Sequence, residues 1–512
     1  MVRSLPRVVV VGAGIGGLAA AIDLAAAGLR VTVVERESGP GGKLSAADVD
    51  GVGVDAGPTV LTMRWVFEEL FAEAGLVLEE HVRLEALTVL GRHAWPDGSR
   101  LDLHADHERT VEAIAAMSGR ADAESYRAFA AHAKRIYETV EGPFLRSQRP
   151  TIAHLLRHTW ALGPSVLYRI DAGRSMWTSL ASRFEDPRLR QLFARYATYC
   201  GGSPLEAPAT LSLIAHVEAA GVYRVDGGMA GFAETLATVA RNLGVELVFG
   251  AEVRRVIVRG GRAVGVALKG GEGRDADAVI ANVDVSAVGS GALGPEAATA
   301  RLVTPATARS FSALTWAIRA TARGFPLLHH NVFFSEDYAA EFEALVSARR
   351  VPARPTVYVC AEDRSVHGQD RGEERLLLVV NAPANGDDLA RWGELEVRKC
   401  EEAVFRTMSR CGLTLITRAS ILTTPRDYAR RFPESGGALY GPRPMSPSSS
   451  LTRQGARTKI AGLYLAGGSV HPGPGVPMAA LSGRLAAACL KSDLAWTAPS
   501  RTAVTSGTTS TA

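Results

Sequence analysis

A glycine-rich turn between a predicted strand and a predicted helix constrains the fold of this 512-residue chain more than any other feature. Residues 7–11 read RVVVV, a β-branched run typical of a strand buried on both faces, and GAGIGG follows at residues 12–17. Residues 18–27 then favour a helix that Gly28 ends, and residues 30–35 favour a second strand. This order is that of a βαβ unit, so we expect an α/β fold with a parallel sheet.

The spacing of the glycines predicts a site for a dinucleotide. Gly12 permits the tight turn, Gly14 lets backbone approach a pyrophosphate, and Gly17 allows close packing of helix on strand. The N-terminus of the helix presents unpaired N–H groups and a positive dipole end to the phosphates. Glu35 ends the second strand, where a carboxylate can accept hydrogen bonds from ribose hydroxyls. The predicted contacts in this part of the chain are Gly12, Ala13, Gly14, Gly16, Gly17 and Glu35.

The composition excludes several other classes of protein. Hydrophobic residues make up 47% of the chain and charged residues 21%, which supplies a large core and excludes wholesale disorder. The net charge of +4 is small for this length, so nucleic-acid binding is not indicated. The five cysteines show neither zinc-ligand spacing nor a redox pair, so we predict no metal site and expect a reducing compartment.

Two short segments after the βαβ unit are also suited to a nucleotide. Residues 35–43 read ERESGPGGK, where the paired glycines would let the chain pass close to a diphosphate. Lys43 or Arg36 could supply positive charge at that point. Residues 54–62 read VDAGPTVLT, and their Gly-Pro pair fixes a turn without a bulky side chain, as a flat ring packed on backbone requires.

The C-terminal part of the chain carries a comparable segment. Residues 463–483 read LYLAGGSVHPGPGVPMAALSG, which predicts a strand, a Gly/Pro loop and a helix over 478–490. His471 lies in this loop, and a structural role is favoured for it over a catalytic one.

Together these segments resemble the superfamily of FAD-dependent amine oxidases and carotenoid desaturases. The resemblance covers most of residues 7–490, and residues 55–75 and 462–484 are most similar to bacterial 1-hydroxycarotenoid 3,4-desaturases. Ordinary phytoene desaturases usually show a glycine where Met478 stands, which we interpret as a marker of the subgroup. The resemblance implies an α/β fold: a Rossmann-like FAD-binding domain with a discontinuous α+β substrate domain.

The resemblance also implies domain limits and cofactor contacts. The FAD-binding domain would comprise residues 1–110, 225–300 and 455–496, and a substrate domain facing the membrane would comprise 111–224 and 301–454. The polar tail 497–512 is expected to be disordered. The helix after the C-terminal loop would point its N-terminus at the flavin, and Val253 would contact adenine through backbone. The further FAD contacts implied are Arg36, Gly42, Lys43, Gly57, Pro58, Thr59, Val253, Gly467, Gly468, Val476, Pro477, Met478 and Ala479.

A saturated C–C bond is unreactive, so the cofactor must carry the difficult step of a desaturation. Beside a polyene, departure of hydride leaves a delocalised cation, and loss of a proton from the neighbouring carbon completes the double bond. The protein has mainly to hold the apolar substrate in a dry channel. His154 and Arg157 stand where phytoene desaturases show an Asp-x-x-Arg pattern, so His154 is a candidate base. Both could instead be surface residues of an amphipathic helix.

The predicted activity is the 3,4-desaturation of an acyclic 1-hydroxy- or 1-methoxycarotenoid such as hydroxyneurosporene. The alternatives are a phytoene or other carotene desaturase, a flavin-dependent carotenoid cis–trans isomerase and, less favoured, an amine oxidase, since no Trp/Tyr pair lies near the C-terminal loop. A second GxGxxG motif and a redox cysteine pair are absent, so oxygen or a quinone is the expected electron acceptor.

The expected location is the cytoplasm, on the surface of the inner (photosynthetic) membrane. No signal-peptide pattern precedes the first strand, and no apolar run reaches the ~20 residues of a transmembrane helix. Residues 151–170 and 311–334 mix aromatic and apolar residues with Arg and His. They suit either an interfacial surface that admits a lipid-dissolved substrate or the lining of a soluble core.

Overall fold

The structure, a computed structural model, describes residues 5–148, 170–171, 173–364, 372–446, 449 and 453–497. The strands of this part of the chain are β1 (Arg7–Val11), β2 (Arg30–Val34), β3 (Ala46–Val49), β4 (Val52–Asp55), β5 (Leu84–Ala86), β6 (Val89–Ala94), β7 (Arg100–His104), β8 (Tyr223–Val225), β9 (Glu246–Val248), β10 (Val253–Arg259), β11 (Arg262–Leu268), β12 (Gly273–Asp275), β13 (Ala278–Ala281), β14 (Ser312–Arg323), β15 (His330–Phe333), β16 (Val357–Ala361), β17 (Glu373–Ala382), β18 (Thr414–Thr423) and β19 (Leu463–Leu465).

The α-helices of the same residues are α1 (Ile15–Ala26), α2 (Trp65–Glu73), α3 (His107–Ser118), α4 (Arg120–Val140), α5 (Met176–Ala181), α6 (Pro187–Ala194), α7 (Leu213–Ala219), α8 (Gly228–Asn242), α9 (Val285–Gly289), α10 (Tyr338–Val346), α11 (Glu394–Arg410), α12 (Pro425–Arg431) and α13 (Val476–Thr497). Shorter helical turns are the π-helical turn Glu141–Leu145 and the 3-10 helices Leu78–Glu80, Arg195–Cys200, Ala209–Ser212, Ala300–Leu302 and Ala306–Ala308.

A parallel sheet with β1 at its centre organises the first unit. β1 pairs in parallel with β2 and β13, and β13 pairs with β19, giving the order β19-β13-β1-β2-β9. Val8–Val11 are 5% exposed or less, as expected of a strand covered on both faces. The predicted βαβ unit is confirmed, and β19 brings the end of the chain into the same sheet.

A second sheet organises the other unit. Its seven strands run in the order β18-β14-β17-β16-β15-β6-β7 and are antiparallel except for the pair β15–β6. Trp316 and Phe333, with Leu376 and Leu378 of β17, are fully buried beneath α11. On the helical side, α3, α4 and α6 enclose an aromatic cluster around Phe129 and Phe193. The core of the large sheet and the aromatic cluster of the helices thus support two surfaces between which a binding site can form.

The strand pairing bears on two expectations, the unit to which residues 89–104 belong and the location of residues 311–334. Residues 89–104, assigned from sequence to the first unit, form β6 and β7, and β6 pairs with β15 of the second sheet. Residues 311–334 contain β14 and β15, most of which is buried, so the interfacial surface considered for this stretch is wrong and the core assignment is confirmed. In both cases, pairing between distant strands outweighs the local pattern.

The structure bears on the expected absence of a transmembrane helix, whereas several other expectations concern residues that it does not describe. Among the helices described, none is both long enough and apolar enough to cross a bilayer. Residues 151–169, which include His154 and Arg157, and the tail from residue 498 lie outside the described residues.

Candidate active site

The glycine motifs from both ends of the chain line one cavity of about 950 Å³. Gly14, at the start of α1, and Pro477, at the start of α13, both form its wall. Of the predicted cofactor contacts, all lie in this wall except Ala13 and Gly17, which are buried behind it. The structure therefore brings together motifs that are more than 400 residues apart in the sequence.

The turn between β1 and α1 leaves room for a ligand only because it is made of glycine. Gly12 adopts φ +97°, a conformation that side chains with a Cβ rarely take. A Cβ on Gly16 would stand 2.8 Å from both the Ala479 carbonyl oxygen and Asn282 Oδ1. A Cβ on Gly17 would stand 2.1 Å from the Gly12 carbonyl oxygen, so Gly17 serves packing within the turn. Gly16 thus keeps the cradle open where α1 and α13 meet.

Glu35 is locked in place at the end of β2. It is 8% exposed, and its Oε2 accepts a hydrogen bond from the Ala13 N–H at 2.7 Å while Oε1 accepts one from the Glu37 N–H at 2.9 Å. A carboxylate oxygen can accept more than one hydrogen bond, so Glu35 can still accept from a ribose. The role of Ala13 is therefore to fix Glu35 rather than to contact a ligand.

Three basic side chains, those of Arg36, Lys43 and Arg431, line the nucleotide part of the cavity. Lys43 Nζ donates to the Leu439 carbonyl oxygen and lies 5.0 Å from the centre of the Phe432 ring, and burial lowers its pKa. Arg36 donates to the Arg431 carbonyl oxygen. Arg431 itself lines the cavity and donates to the Gly42 carbonyl oxygen at 3.1 Å. The sequence analysis missed Arg431 because it follows no motif.

The segment around Gly57 packs directly on the segment around Lys43. A Cβ on Gly57 would stand 1.9 Å from the Lys43 carbonyl oxygen, so only glycine allows this approach. The next residues, Pro58 and Thr59, then face the cavity. Thr59 Oγ1 is 2.6 Å from the Tyr358 hydroxyl, which is 2.7 Å from His330 Nδ1. This hydrogen-bond chain from the wall to a buried imidazole gave no signal in the sequence.

The C-terminal loop is held by a buried arginine. Arg453 donates to the carbonyl oxygens of Tyr440 at 2.9 Å and Gly468 at 3.2 Å, and burial lowers its pKa to about 10. His471 Nε2 lies 2.9 Å from the Phe144 carbonyl oxygen, and burial lowers the pKa of His471 to about 4. Both contacts tie the loop to its surroundings, which supports the structural role predicted for His471.

Beyond the nucleotide motifs, the cavity continues between the helices and the large sheet. Its wall there is mostly apolar and includes Leu145, Leu211, Ile214, Val217, Val332 and Val379. The cavity therefore has one part suited to a dinucleotide and one suited to an apolar molecule. The open glycine cradle, the anchored Glu35 and the basic groups together fit a flavin dinucleotide such as FAD.

Comparison with known proteins agrees with this geometry. Residues 15–491 match the family described as flavin containing amine oxidoreductase. The chain is 50% identical to the hydroxyneurosporene desaturase of Rubrivivax gelatinosus, covering 99% of this chain and 97% of that protein. It is 43% identical to the hydroxyneurosporene desaturase of Cereibacter sphaeroides, covering 97% and 99%. An oxidoreductase from Methanosarcina mazei superposes with a TM-score of 0.62 at 18% identity, covering 93% and 99%, which shows the shared fold.

Proposed function

We propose a specific reaction for this chain, which belongs to the family described as flavin containing amine oxidoreductase. It introduces the 3,4 double bond into an acyclic 1-hydroxy- or 1-methoxycarotenoid such as hydroxyneurosporene. The observation that carries the proposal is the single cavity in which a dinucleotide cradle opens onto an apolar channel. Its support is the 50% identity, along almost the whole chain, to a relative named for this substrate.

The chain's own residues suit FAD as the cofactor. The turn from Gly12 to Gly17 and the N-terminus of α1 would hold the diphosphate, and Glu35 would accept bonds from the ribose. The N-terminus of α13, at Val476, would place a positive dipole end beside the ring. When bound, FAD supplies the two-electron acceptor for the hydrogen that leaves the substrate.

The apolar part of the cavity would align the substrate and keep water out. Leu211, Ile214 and Val217 face the cavity from the helical side, and Val332 and Val379 face it from the large sheet. A polyene held between two such walls presents one bond to the flavin in a fixed orientation, which removes much of the entropic barrier. Exclusion of water also protects a positive charge on the polyene from hydration.

The proton that the substrate loses needs an acceptor, and the hydrogen-bonded series Thr59–Tyr358–His330 offers one. We assign Thr59 as the donor to Tyr358 and Tyr358 as the donor to His330 Nδ1. Burial holds the pKa of His330 well below its usual range, so the imidazole is neutral and can accept a proton. Thr59 Oγ1 would take the proton from the substrate while the two hydroxyl protons shift toward His330. A weak base suffices, because a proton beside a polyene cation is strongly acidic.

The proposal also covers the location of the protein in the cell and the electron acceptor that reoxidises the flavin. A carotenoid is insoluble in water, which supports a peripheral position on the inner membrane from which the substrate enters. Oxygen or a quinone would reoxidise the flavin. His154 and Arg157, outside the described residues, stay candidates for a catalytic role.

The test is an assay of purified, FAD-loaded protein with liposomes that contain hydroxyneurosporene, neurosporene or phytoene. We expect a red shift of the hydroxyneurosporene spectrum and a product that has lost two hydrogens by mass. A spectrum unchanged for all three substrates, with FAD bound and an acceptor present, contradicts the proposal. An isomer with unchanged mass would favour the cis–trans isomerase.

A further inference from the structure

An ion pair is buried in the wall of the apolar part of the cavity. Arg195 and Tyr199, on the 3-10 helix Arg195–Cys200, and Glu218, on α7, all line the cavity. Arg195 is 8% exposed and Glu218 6%. Their neighbours in the wall, Leu211 and Ile214, are apolar.

The three polar groups form one hydrogen-bonded network. Arg195 Nη1 donates to the Tyr199 hydroxyl, which donates to Glu218 Oε1 at 2.8 Å. The hydroxyl of Tyr196 donates to Glu218 Oε2 at 2.7 Å, and Arg195 Nη2 lies 3.7 Å from Glu218 Oε1. At 3.7 Å this last contact is an ion pair and not a hydrogen bond, so Arg195 Nη2 donates to none of the described residues. The network therefore has a spare N–H donor on a residue that lines the cavity.

Stability alone is a poor reason for this arrangement. Moving an ion pair out of water is unfavourable, and apolar residues of similar volume often stabilise a protein as well or better. A hydrocarbon offers nothing to an unpaired N–H group, whereas a hydroxyl group can satisfy it. The network therefore suits a ligand that is apolar along most of its length and carries a hydroxyl group.

The position of the network matches the position of that hydroxyl group. Arg195 and Tyr199 line the same cavity as Thr59 and Tyr358, the two hydroxyl residues of the Thr59–Tyr358–His330 chain. Thr59 follows the Gly-Pro turn, which the family resemblance implies to lie beside the flavin ring. In a 1-hydroxycarotenoid only two carbon atoms separate the oxygen from C3, so the hydroxyl group must bind close to the reacting bond.

We propose that Arg195, Tyr199 and Glu218 form the subsite that binds the tertiary hydroxyl group at the end of the substrate. Arg195 Nη2 donates to the hydroxyl oxygen, and Glu218 accepts a hydrogen bond from the hydroxyl group. The subsite selects hydroxylated carotenoids over hydrocarbons of the same length and sets which bond lies against the flavin. This inference rests on the proposed function for the identity of the substrate.

The test compares the affinity of FAD-loaded protein for an acyclic 1-hydroxycarotenoid and for the hydrocarbon of the same chain length. Binding is followed in detergent micelles by quenching of flavin fluorescence. We expect wild type to prefer the hydroxylated ligand by about tenfold or more, as a hydrogen bond to a charged group implies. Glu218→Gln and Tyr199→Phe should both reduce this preference, mainly through weaker binding of the hydroxylated ligand. Tyr126→Phe, which changes a buried tyrosine outside this cavity wall, is the matched control and should keep the preference.

The outcomes separate this inference from the proposed function. Equal loss of affinity for both ligands, no preference in wild type, or no binding of either ligand would overturn the subsite. Preferential binding that the variants abolish, without any desaturation, would support the subsite and contradict the proposed function. Desaturation with equal affinity for both ligands would support the proposed function and contradict the subsite.

Discussion

Gly483 of α13 lies so close to Gly16 of α1 that a Cβ built on Gly483 would stand 1.9 Å from the Gly16 carbonyl oxygen. The two helices come from opposite ends of the chain, and both begin at the cavity. Their contact sets the distance between the diphosphate turn and the C-terminal loop. The shape of the nucleotide part of the cavity therefore depends on this backbone-to-backbone approach.

Gly483→Val should separate α1 from α13 and weaken FAD binding. Because neither backbone can yield locally, we expect a loss of about 1–3 kcal/mol in the free energy of unfolding, as for other overpacked sites. Flavin absorbance per mole of protein and the thermal midpoint measure the two effects. Gly231→Ala is the control, since a Cβ at Gly231 meets nothing within 4 Å. Full flavin content in Gly483→Val would show that the helix contact does not shape the site.

The parts of this site that the sequence predicts are those with a local signature. The β-branched run of β1, the glycines after it and the carboxylate of Glu35 each fit a rule that links neighbouring residues. The C-terminal Gly/Pro loop adds a second local signature, and β19 beside β13 confirms that both ends share one sheet. Short-range patterns were therefore enough to predict the nucleotide part of the cavity.

The substrate part of the cavity could not be predicted in this way. β6 pairs with β15 across more than 200 residues, and the sequence of a strand does not name its partner. Tyr358 and Arg195 look like ordinary strand and helix residues in the sequence. Their roles arise only when the second sheet and the helices enclose the same space. Reaction chemistry and specificity therefore come from long-range packing, which one sequence does not reveal.

Glu35→Gln should weaken FAD binding without unfolding the protein. The carboxylate accepts hydrogen bonds from two backbone N–H groups, whereas an amide would turn an NH₂ group toward one of them. The substitution removes a charge-assisted hydrogen bond and sets the amide NH₂ group against a backbone N–H group. We therefore expect about a 10- to 100-fold rise in the dissociation constant for FAD. Titration of the apoprotein with FAD measures it, and Glu80→Gln, at an exposed position, is the control. Unchanged affinity would remove Glu35 from the cofactor site.

Tyr358→Phe should slow the reaction while leaving substrate and flavin bound. The substitution removes the hydroxyl that links Thr59 to His330. We expect kcat to fall about 100-fold, the range for loss of a general acid–base group, with little change in KM or flavin content. Tyr338→Phe, which alters another buried tyrosine, should keep kcat near that of wild type. A kcat equal to wild type in Tyr358→Phe would place proton transfer elsewhere, with His154 as the next candidate.

The stability of the protein should fall as the pH rises toward 8, because of Glu362. This side chain is 9% exposed, and its Oε1 accepts a hydrogen bond from the Asp55 N–H at 2.7 Å. Burial and the nearby Asp55 carboxylate raise the pKa of Glu362 to about 8. A pKa that is higher in the folded state than in the unfolded chain stabilises the fold at low pH, and this contribution is lost as the pH rises through the folded value. The window therefore runs from about 4.5, the unfolded value, to about 8.

Glu362→Gln should flatten this dependence. Glutamine keeps an oxygen for the Asp55 N–H and carries no charge at any pH, so the variant should unfold at higher urea concentration than wild type at pH 8.5. At pH 5.5, which lies nearer the unfolded value, the difference between the two midpoints should be smaller than at pH 8.5. Glu80→Gln, which removes an exposed carboxylate, should follow the wild-type curve at both pH values. Midpoints that fall equally between pH 5.5 and 8.5 in wild type and Glu362→Gln would assign the pH dependence to other groups.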